Sequence, residues 1–214
     1  MDELMFFLEI LGTISFSVSG AIEAMKKKMD LLGVLVLGLV TAVGGGIIRD
    51  LIIGKLPPAS FRNPRNALIA IATAFVAFLI GVIVSRRKEN LHSVLWNQAL
   101  LISDALGLGA FTILGIQGVW QQTEEHGTAL LLFVGVITGV GGGLIRDIFA
   151  GNVPYIFRKH VYATASIAGA VAYLVLQRLG YLRLAVFVNL FLVVVLRLLA
   201  AHYEWNLPRV ELPE

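Results

Sequence analysis

Polar positions in this chain fall in short clusters, and the stretches between them are almost wholly apolar. Seven such stretches come close to the roughly 20 apolar residues that a helix needs to cross a bilayer. They are Leu4–Met25, Leu31–Ile53, Asn66–Val84, Val94–Leu114, Ala129–Ala150, Val161–Gln177 and Leu182–Ala201. The pattern predicts an all-α membrane protein with seven transmembrane helices, forming one integral membrane domain over residues 1–214. Connections are short, and the tail NLPRVELPE is too short to fold alone. The spans are apolar on every side, so periodicity does not separate lipid-facing from buried positions.

One stretch occurs twice. Leu35–Pro57 reads LVLGLVTAVGGGIIRDLIIGKLP, and Leu132–Pro154 reads LFVGVITGVGGGLIRDIFAGNVP, with 12 of 23 positions identical at an offset of 97. An internal repeat constrains architecture more than any single motif. The copies lie in the second and fifth spans, three crossings apart, so they run in opposite directions. The chain is therefore expected to be an inverted 3+3 repeat, with repeat 1 over about 4–84 and repeat 2 over about 94–177, plus a seventh helix over about 182–201. Such repeats are typical of transporter folds, whose sites lie near the midplane at interrupted helices. Ser17-Val18-Ser19-Gly20 in the first span is matched with Gly107-Leu108-Gly109-Ala110 in the fourth, and Phe61-Arg62 recurs as Phe157-Arg158.

Composition agrees with the membrane reading. The chain is 57% hydrophobic and 14% charged, and its mean hydropathy is +0.84; soluble domains run near 45–50% apolar and about 25% charged. With no cysteine there is no disulfide or thiolate chemistry. The net charge of +3 reflects loop Lys and Arg, so no nucleic-acid partner is expected. Lys26, Lys27, Lys28, Arg86, Arg87, Lys88, Arg158, Lys159 and Arg209 fall on one side; Lys55, Arg62, Arg65, Arg178 and Arg183 fall on the other. The excess of cytoplasmic Lys and Arg in membrane proteins then places the N-terminus outside and the C-terminus in the cytoplasm of a multi-pass cell-membrane protein. MDELMFF lacks the basic start of a signal peptide and reads as the beginning of a retained span.

The candidate chemistry centres on the repeat. Three adjacent glycines in a helix cost roughly 1 kcal/mol each relative to Ala. Gly44, Gly45, Gly46 and Gly141, Gly142, Gly143 therefore read either as a kink or break lining a pathway, or as sites of close helix packing. The break reading leans on the fact that consecutive glycines cover every face, whereas packing is expected to need one. Arg49-Asp50 and Arg146-Asp147 follow about one turn later, as charged support or a gate. The symmetry suggests crossed ion pairs, Arg49 with Asp147 and Arg146 with Asp50. The alternative is helix-end charges that snorkel or cap. Asp104 is the deepest lone carboxylate, either a cation-holding group or a partner for Arg49 or Arg146. Ser17, Ser19, Thr41 and Thr138, with Ser15 and Ser103, could add hydroxyl oxygens, although such groups often bond their own helix. Glu9 falls early in the first span, as a candidate vestibule residue. Glu23 lies three and four residues before Lys26 and Lys27, the spacing of a surface ion pair. The four histidines show no ligand spacing, so no metal site and no cofactor are expected. GGGxxRD is not a phosphate loop, since no strand precedes it and no Lys-Ser/Thr follows. No nucleophile–base set points to an enzyme. Trp96, Trp120, Tyr155, Tyr162, Tyr181, Tyr203 and Trp205 read as an interfacial belt. On these residues alone a passive cation channel and a secondary transporter of a small solute, such as an amino acid, stand level.

The two GGGxxRD copies, the Ser103-Asp104-Ala105-Leu106-Gly107-Leu108 segment and the seven spans resemble the prokaryotic members of the trimeric intracellular cation channel family, whose repeats have also been labelled a glycine-transporter domain. The resemblance runs from Ser15 to the seventh span. It implies two inverted three-helix bundles and a homotrimer with a pore in each protomer. That pore would be lined by helices kinked at the glycine triplets and would pass K⁺ or Na⁺, chiefly K⁺. Animal members add a pore Lys and phosphoinositide binding; no Lys falls within spans two to seven here. Membrane lipid is then expected to meet the basic loops without specificity.

Overall fold

The computed structural model describes residues 2–85, 91–122, 127–158 and 161–205. Arg86, Arg87, Lys88, Glu124, Glu125, His126, Lys159, His160 and Arg209 lie outside them. The helices are α1 (Asp2–Lys26), α2 (Leu31–Ile52), α3 (Ala59–Arg62), α4 (Arg65–Ser85), α5 (Leu91–Trp120), α6 (Thr128–Phe149), α7 (Tyr155–Arg158), α8 (Ala163–Arg178) and α9 (Leu182–His202). Six of them, α1, α2, α4, α5, α6 and α9, are long and apolar enough to cross a membrane. The expected sixth span corresponds to α8, which has 16 residues. At 1.5 Å per residue it rises about 24 Å, less than the hydrocarbon thickness.

Local chemistry sets several helix ends. Asp30 caps α2 by accepting from the Gly33 amide at 2.8 Å. Gly54, Gly151 and Gly180 follow α2, α6 and α8 with φ of 71°, 68° and 85°, a conformation that glycine adopts at helix ends without a Cβ penalty. Direction alternates along the chain. Lys26 bonds Asn97 and Glu23 bonds Asn152, which ties the end of α1 to the start of α5 and the end of α6. At the opposite end, which holds the N-terminus and is called here the near end, Gln122 bonds the Ile53 carbonyl and Arg178 bonds Thr128.

The interior is built on α1, α2, α5 and α6. Phe16 of α1 and Phe111 of α5 stack at 5.2 Å. A Cβ on Gly107 would meet the Phe16 ring, and a Cβ on Gly12 would meet the Phe111 ring. A Cβ on Gly20 would strike the Leu37 carbonyl and Thr41, and one on Gly115 would strike the Val134 carbonyl and Thr138. These contacts are reciprocal, and they match α1 to α5 at an offset of 95. The expected match of Ser17–Gly20 to Gly107–Ala110 is therefore a mis-registration. Gly12, Phe16 and Gly20 correspond to Gly107, Phe111 and Gly115, and Ser17 corresponds to Thr112. Ser17 donates to the Ala70 carbonyl at 2.6 Å, and Thr112 meets Ser166 at 2.7 Å.

The glycine triplets do not interrupt their helices: α2 and α6 run through them. Neither triplet breaks its helix, and close packing, the other reading of the glycines, is seen around them. A Cβ on Gly45 would lie 2.2 Å from the Thr138 carbonyl oxygen, and one on Gly142 would lie 2.3 Å from that of Thr41. The two helices cross backbone to backbone there. More than one face is engaged, because α6 is surrounded. Gly142 also faces Phe16, Gly143 faces the Tyr162 hydroxyl, and Gly44 faces Ile145. Gly46 alone of the six meets no close neighbour among the described residues: the nearest atom to its Cβ position is an Arg49 guanidinium nitrogen at 3.9 Å.

Candidate functional site

Two charged assemblies lie on either side of this crossing. At the far end, Asp104 of α5 is fully buried, as is Arg146 of α6. Arg146 Nη1 donates to Asp104 Oδ1 at 2.6 Å and also to the Ser19 hydroxyl. Its Nε and Nη2 bind Asp147 Oδ1 at 2.9 and 2.7 Å. Asp104 Oδ2 accepts from Arg197 Nη2 of α9 at 3.2 Å, and Tyr162 donates to Oδ1 at 3.3 Å. The Arg197 guanidinium also stacks over the Tyr162 ring at 4.6 Å. Two carboxylates and two guanidiniums thus neutralise one another where water is excluded, which is the condition for keeping ions buried. Beyond Arg197 a cavity of about 280 Å³ opens beside Ala200, Ala201, Glu204 and Trp205.

At the near end the corresponding groups are more open. Glu9, at offset 95 from Asp104, accepts from Arg65 Nη2 at 2.5 Å and from Asn66 Nδ2 at 2.6 Å. Its side chain is 36% exposed and that of Arg65 is 41% exposed. Arg49 binds Asp50 Oδ1 through Nε at 2.8 Å and Nη2 at 2.8 Å. Among the described residues its Nη1 reaches only the Leu114 carbonyl, at 3.5 Å. Glu9, Gly46, Arg49, Ser60, Asn63 and Arg65 line a cavity of about 180 Å³ that ends against Phe111 and Leu114.

The crossed ion pairs are not formed. Each arginine pairs with the aspartate that follows it, Arg49 with Asp50 and Arg146 with Asp147. The reason is that each aspartate has a second duty to its own chain. Asp50 Oδ2 accepts from the Ala59 amide at 2.7 Å, and Asp147 Oδ2 from the Tyr155 amide at 2.8 Å. Both thereby cap the one-turn helices α3 and α7. Among the predicted hydroxyls, Thr41 and Thr138 bond the carbonyls of Leu37 and Val134 in their own helices, as Ser103 does with Leu100. Ser19 accepts from another helix, from Arg146 of α6. Glu23 is buried rather than on the surface. It sits 4.0 Å from Lys26 and accepts from Asn152 at 2.6 Å.

Two residues of the buried assembly escaped the sequence reading. Arg197 lies in VVVLRLLAAH, five residues before the end of α9, a depth at which a lone Arg is itself a signal. Tyr162, assigned to the interfacial belt, is buried and serves Asp104. The structure places Asp104 against arginines, the second of the two roles open to it in the sequence.

A family model described as Glycine transporter matches residues 6–81 and 101–178. The UPF0126 inner membrane protein YadS of Escherichia coli (strain K12) is 39% identical over 170 residues, 79% of this chain and 77% of that protein. The UPF0126 membrane protein YvgT of Bacillus subtilis (strain 168) is 35% identical over 203 residues, 94% of each. A chain solved in work on the structural basis for conductance through TRIC cation channels is 36% identical with a TM-score of 0.79, covering 97% of this chain and 98% of that one. The TRIC trimeric intracellular cation channel orthologue from Rhodobacter sphaeroides is 30% identical with a TM-score of 0.83, covering 94% and 99%. The apolar helices and the membrane-protein relatives make this a multi-pass membrane protein. With a matching family model over most of its length and channels of this kind as structural neighbours, the chain belongs to the trimeric intracellular cation (TRIC) channel family as a prokaryotic member.

Proposed function

We propose that the chain is a channel for monovalent cations, K⁺ among them, with one pathway inside each protomer of a homotrimer. The observation that carries this reading is the likeness to a TRIC cation channel over 97% of the chain at 36% identity. The reciprocal contacts of α1 with α5, and of α2 with α6, support two inverted three-helix bundles, about 4–84 and 94–177, with a seventh helix at about 182–201. In this arrangement α8 is the short sixth crossing and α9 the seventh. The pathway runs from the near-end cavity through the crossing of Gly44–Gly46 and Gly141–Gly143 toward the Asp104 assembly. Ser17, Ser19, Thr41 and Thr138 stand along it, and Arg49-Asp50 and Arg146-Asp147 guard its two ends. The conformation described here is shut, because the Phe16–Phe111 stack and the glycine crossing fill the space between the two charged assemblies. Conduction requires the bundles to part at this crossing, where threonine hydroxyls and backbone carbonyls would face the ion. The near end is taken as the outer side, with the C-terminus in the cytoplasm, and the basic loops there meet anionic lipid without specificity.

Single-channel recording of the purified protein in planar bilayers under a K⁺ gradient tests the reading. Discrete currents at rates beyond a carrier's cycle are expected, with altered selectivity or open probability in Asp104→Asn. The second reading is a carrier of a small solute. It is favoured by one feature, a cavity open at the near end while the far-end charges are sealed, as in proteins that expose a site to one side at a time. Saturable uptake of glycine into liposomes without discrete currents would decide for the carrier.

A further inference from the structure

Glu9 is the internal counterpart of Asp104, and among the described residues it lacks the bond that Asp104 makes to the arginine of the repeat. The matched groups are Glu9 with Asp104, Arg49 with Arg146, and Asn66 with Tyr162, each at the offset set by the reciprocal helix contacts. Arg146 uses Nε and Nη2 for its neighbouring aspartate and Nη1 for Asp104 and Ser19. Arg49 uses Nε and Nη2 in the same way for Asp50. Among the described residues its Nη1 has only the 3.5 Å contact to the Leu114 carbonyl, since Leu114 stands where Ser19 stands in the other half. Glu9 and Arg49 line the same cavity, and among the described residues no ion pair joins them. Glu9 is instead held by Arg65 and Asn66, at the first turn of α4.

We propose that Glu9 is a positioning residue that forms a near-end gate with Arg49, and that Arg65 and Asn66 hold that gate open by keeping Glu9 away from Nη1. In the shut near end, Arg49 keeps Asp50 and adds Glu9 through Nη1, reproducing the Arg146–Asp104 bond that seals the far end. In that move Arg49 keeps its other two nitrogens where they are, on Asp50. It closes the cavity over Gly46, whose lack of a side chain leaves room for the guanidinium. In a partly buried site one charge-assisted bond can shift such an equilibrium severalfold or more. The gate itself does not depend on what the pathway carries.

The chain has no cysteine, so Val43→Cys, in the near-end cavity, supplies a single thiol for a water-soluble methanethiosulfonate reagent. Val140→Cys, at the matched buried position, is the control and should label slowly throughout. Arg65→Gln combined with Asn66→Ala releases Glu9, and labelling of Val43→Cys should slow by about tenfold. Adding Glu9→Gln should restore the original rate, which also shows that the released protein is folded. If the double release is too unstable to purify, Arg65→Gln alone should give the same slowing in smaller degree, with the same rescue. Unchanged labelling on release, or slowing that Glu9→Gln does not reverse, overturns the gate. Bilayer currents form a separate arm. Open probability should fall on release and return with Glu9→Gln. Labelling changes without any current leave the gate standing and remove the channel reading.

Discussion

Gly45→Ala and Gly46→Ala are neighbouring, chemically identical changes for which the structure requires opposite outcomes. At Gly45 the new methyl would sit 2.2 Å from the Thr138 carbonyl oxygen, and ordinary contact begins near 3.4 Å, so α2 and α6 must separate by about 1.2 Å at their crossing. The obstacle is backbone and cannot rotate aside. Overpacking of this severity costs up to about 3 kcal/mol, and the gain in helix propensity returns about 1 kcal/mol. The net loss is about 2 kcal/mol. At Gly46 nothing blocks the methyl, so only the propensity term acts, and stability should rise by up to about 1 kcal/mol. For a chain of this length each kcal/mol moves a melting midpoint by roughly 2–4 °C. The two variants should therefore differ by about 6–12 °C in thermal unfolding followed by fluorescence-detected size exclusion. If the triplets served as hinges instead, both alanines would stiffen the helix and raise stability alike. Equal shifts at the two positions, or an unperturbed Gly45→Ala, would refute the packing account.

Asp104→Asn leaves Arg146 and Arg197 buried with a charge deficit and should cost about 3–5 kcal/mol, read as a lowered midpoint in the same assay. Reversing Arg49 to Asp together with Asp147 to Arg should not rescue either single change, because each aspartate also caps a one-turn helix; a rescue would restore the crossed pairs. Asn189→Leu removes two buried polar atoms that have no hydrogen-bond partner among the described residues. It should leave stability unchanged or raise it by about 1 kcal/mol, and a loss in the melting assay would mean that Asn189 serves a partner in the assembled protein.

The spans were legible because they are long and apolar, and the α2–α6 match because 12 residues recur within 23. The α1–α5 match was also written in the chain. Gly12-x₃-Phe16-x₃-Gly20 recurs as Gly107-x₃-Phe111-x₃-Gly115, but the small-residue clusters at Ser17–Gly20 and Gly107–Ala110 drew attention to a register five residues away. The charge partners were harder, for a physical reason. An arginine reaches several ångströms and its choice depends on which acceptors are already engaged. The second duty of Asp50 and Asp147, to the amides of Ala59 and Tyr155, cannot be read from spacing. Arg197 was hidden because α9 lies outside the repeat, so no symmetry pointed to it.

The glycine triplets connect these observations. A buried crossing of two helices at backbone distance leaves no room for a side chain on the facing residues, and a helix surrounded on several sides faces a neighbour at every successive position. Five of the six triplet glycines meet such a neighbour, Gly46 being the exception, and neither helix is interrupted. The same closeness has a consequence for function. Because the Thr41 and Thr138 carbonyl oxygens stand over Gly142 and Gly45, a small parting of α2 from α6 would open a passage lined by backbone oxygen rather than by apolar side chains. A crossing built from leucines would open onto hydrocarbon and resist a cation. If the protein conducts as proposed, the packing that shuts it is also the surface that would accept an ion when the two halves move apart, with the matched charges of Arg49 and Arg146 on either side of that crossing.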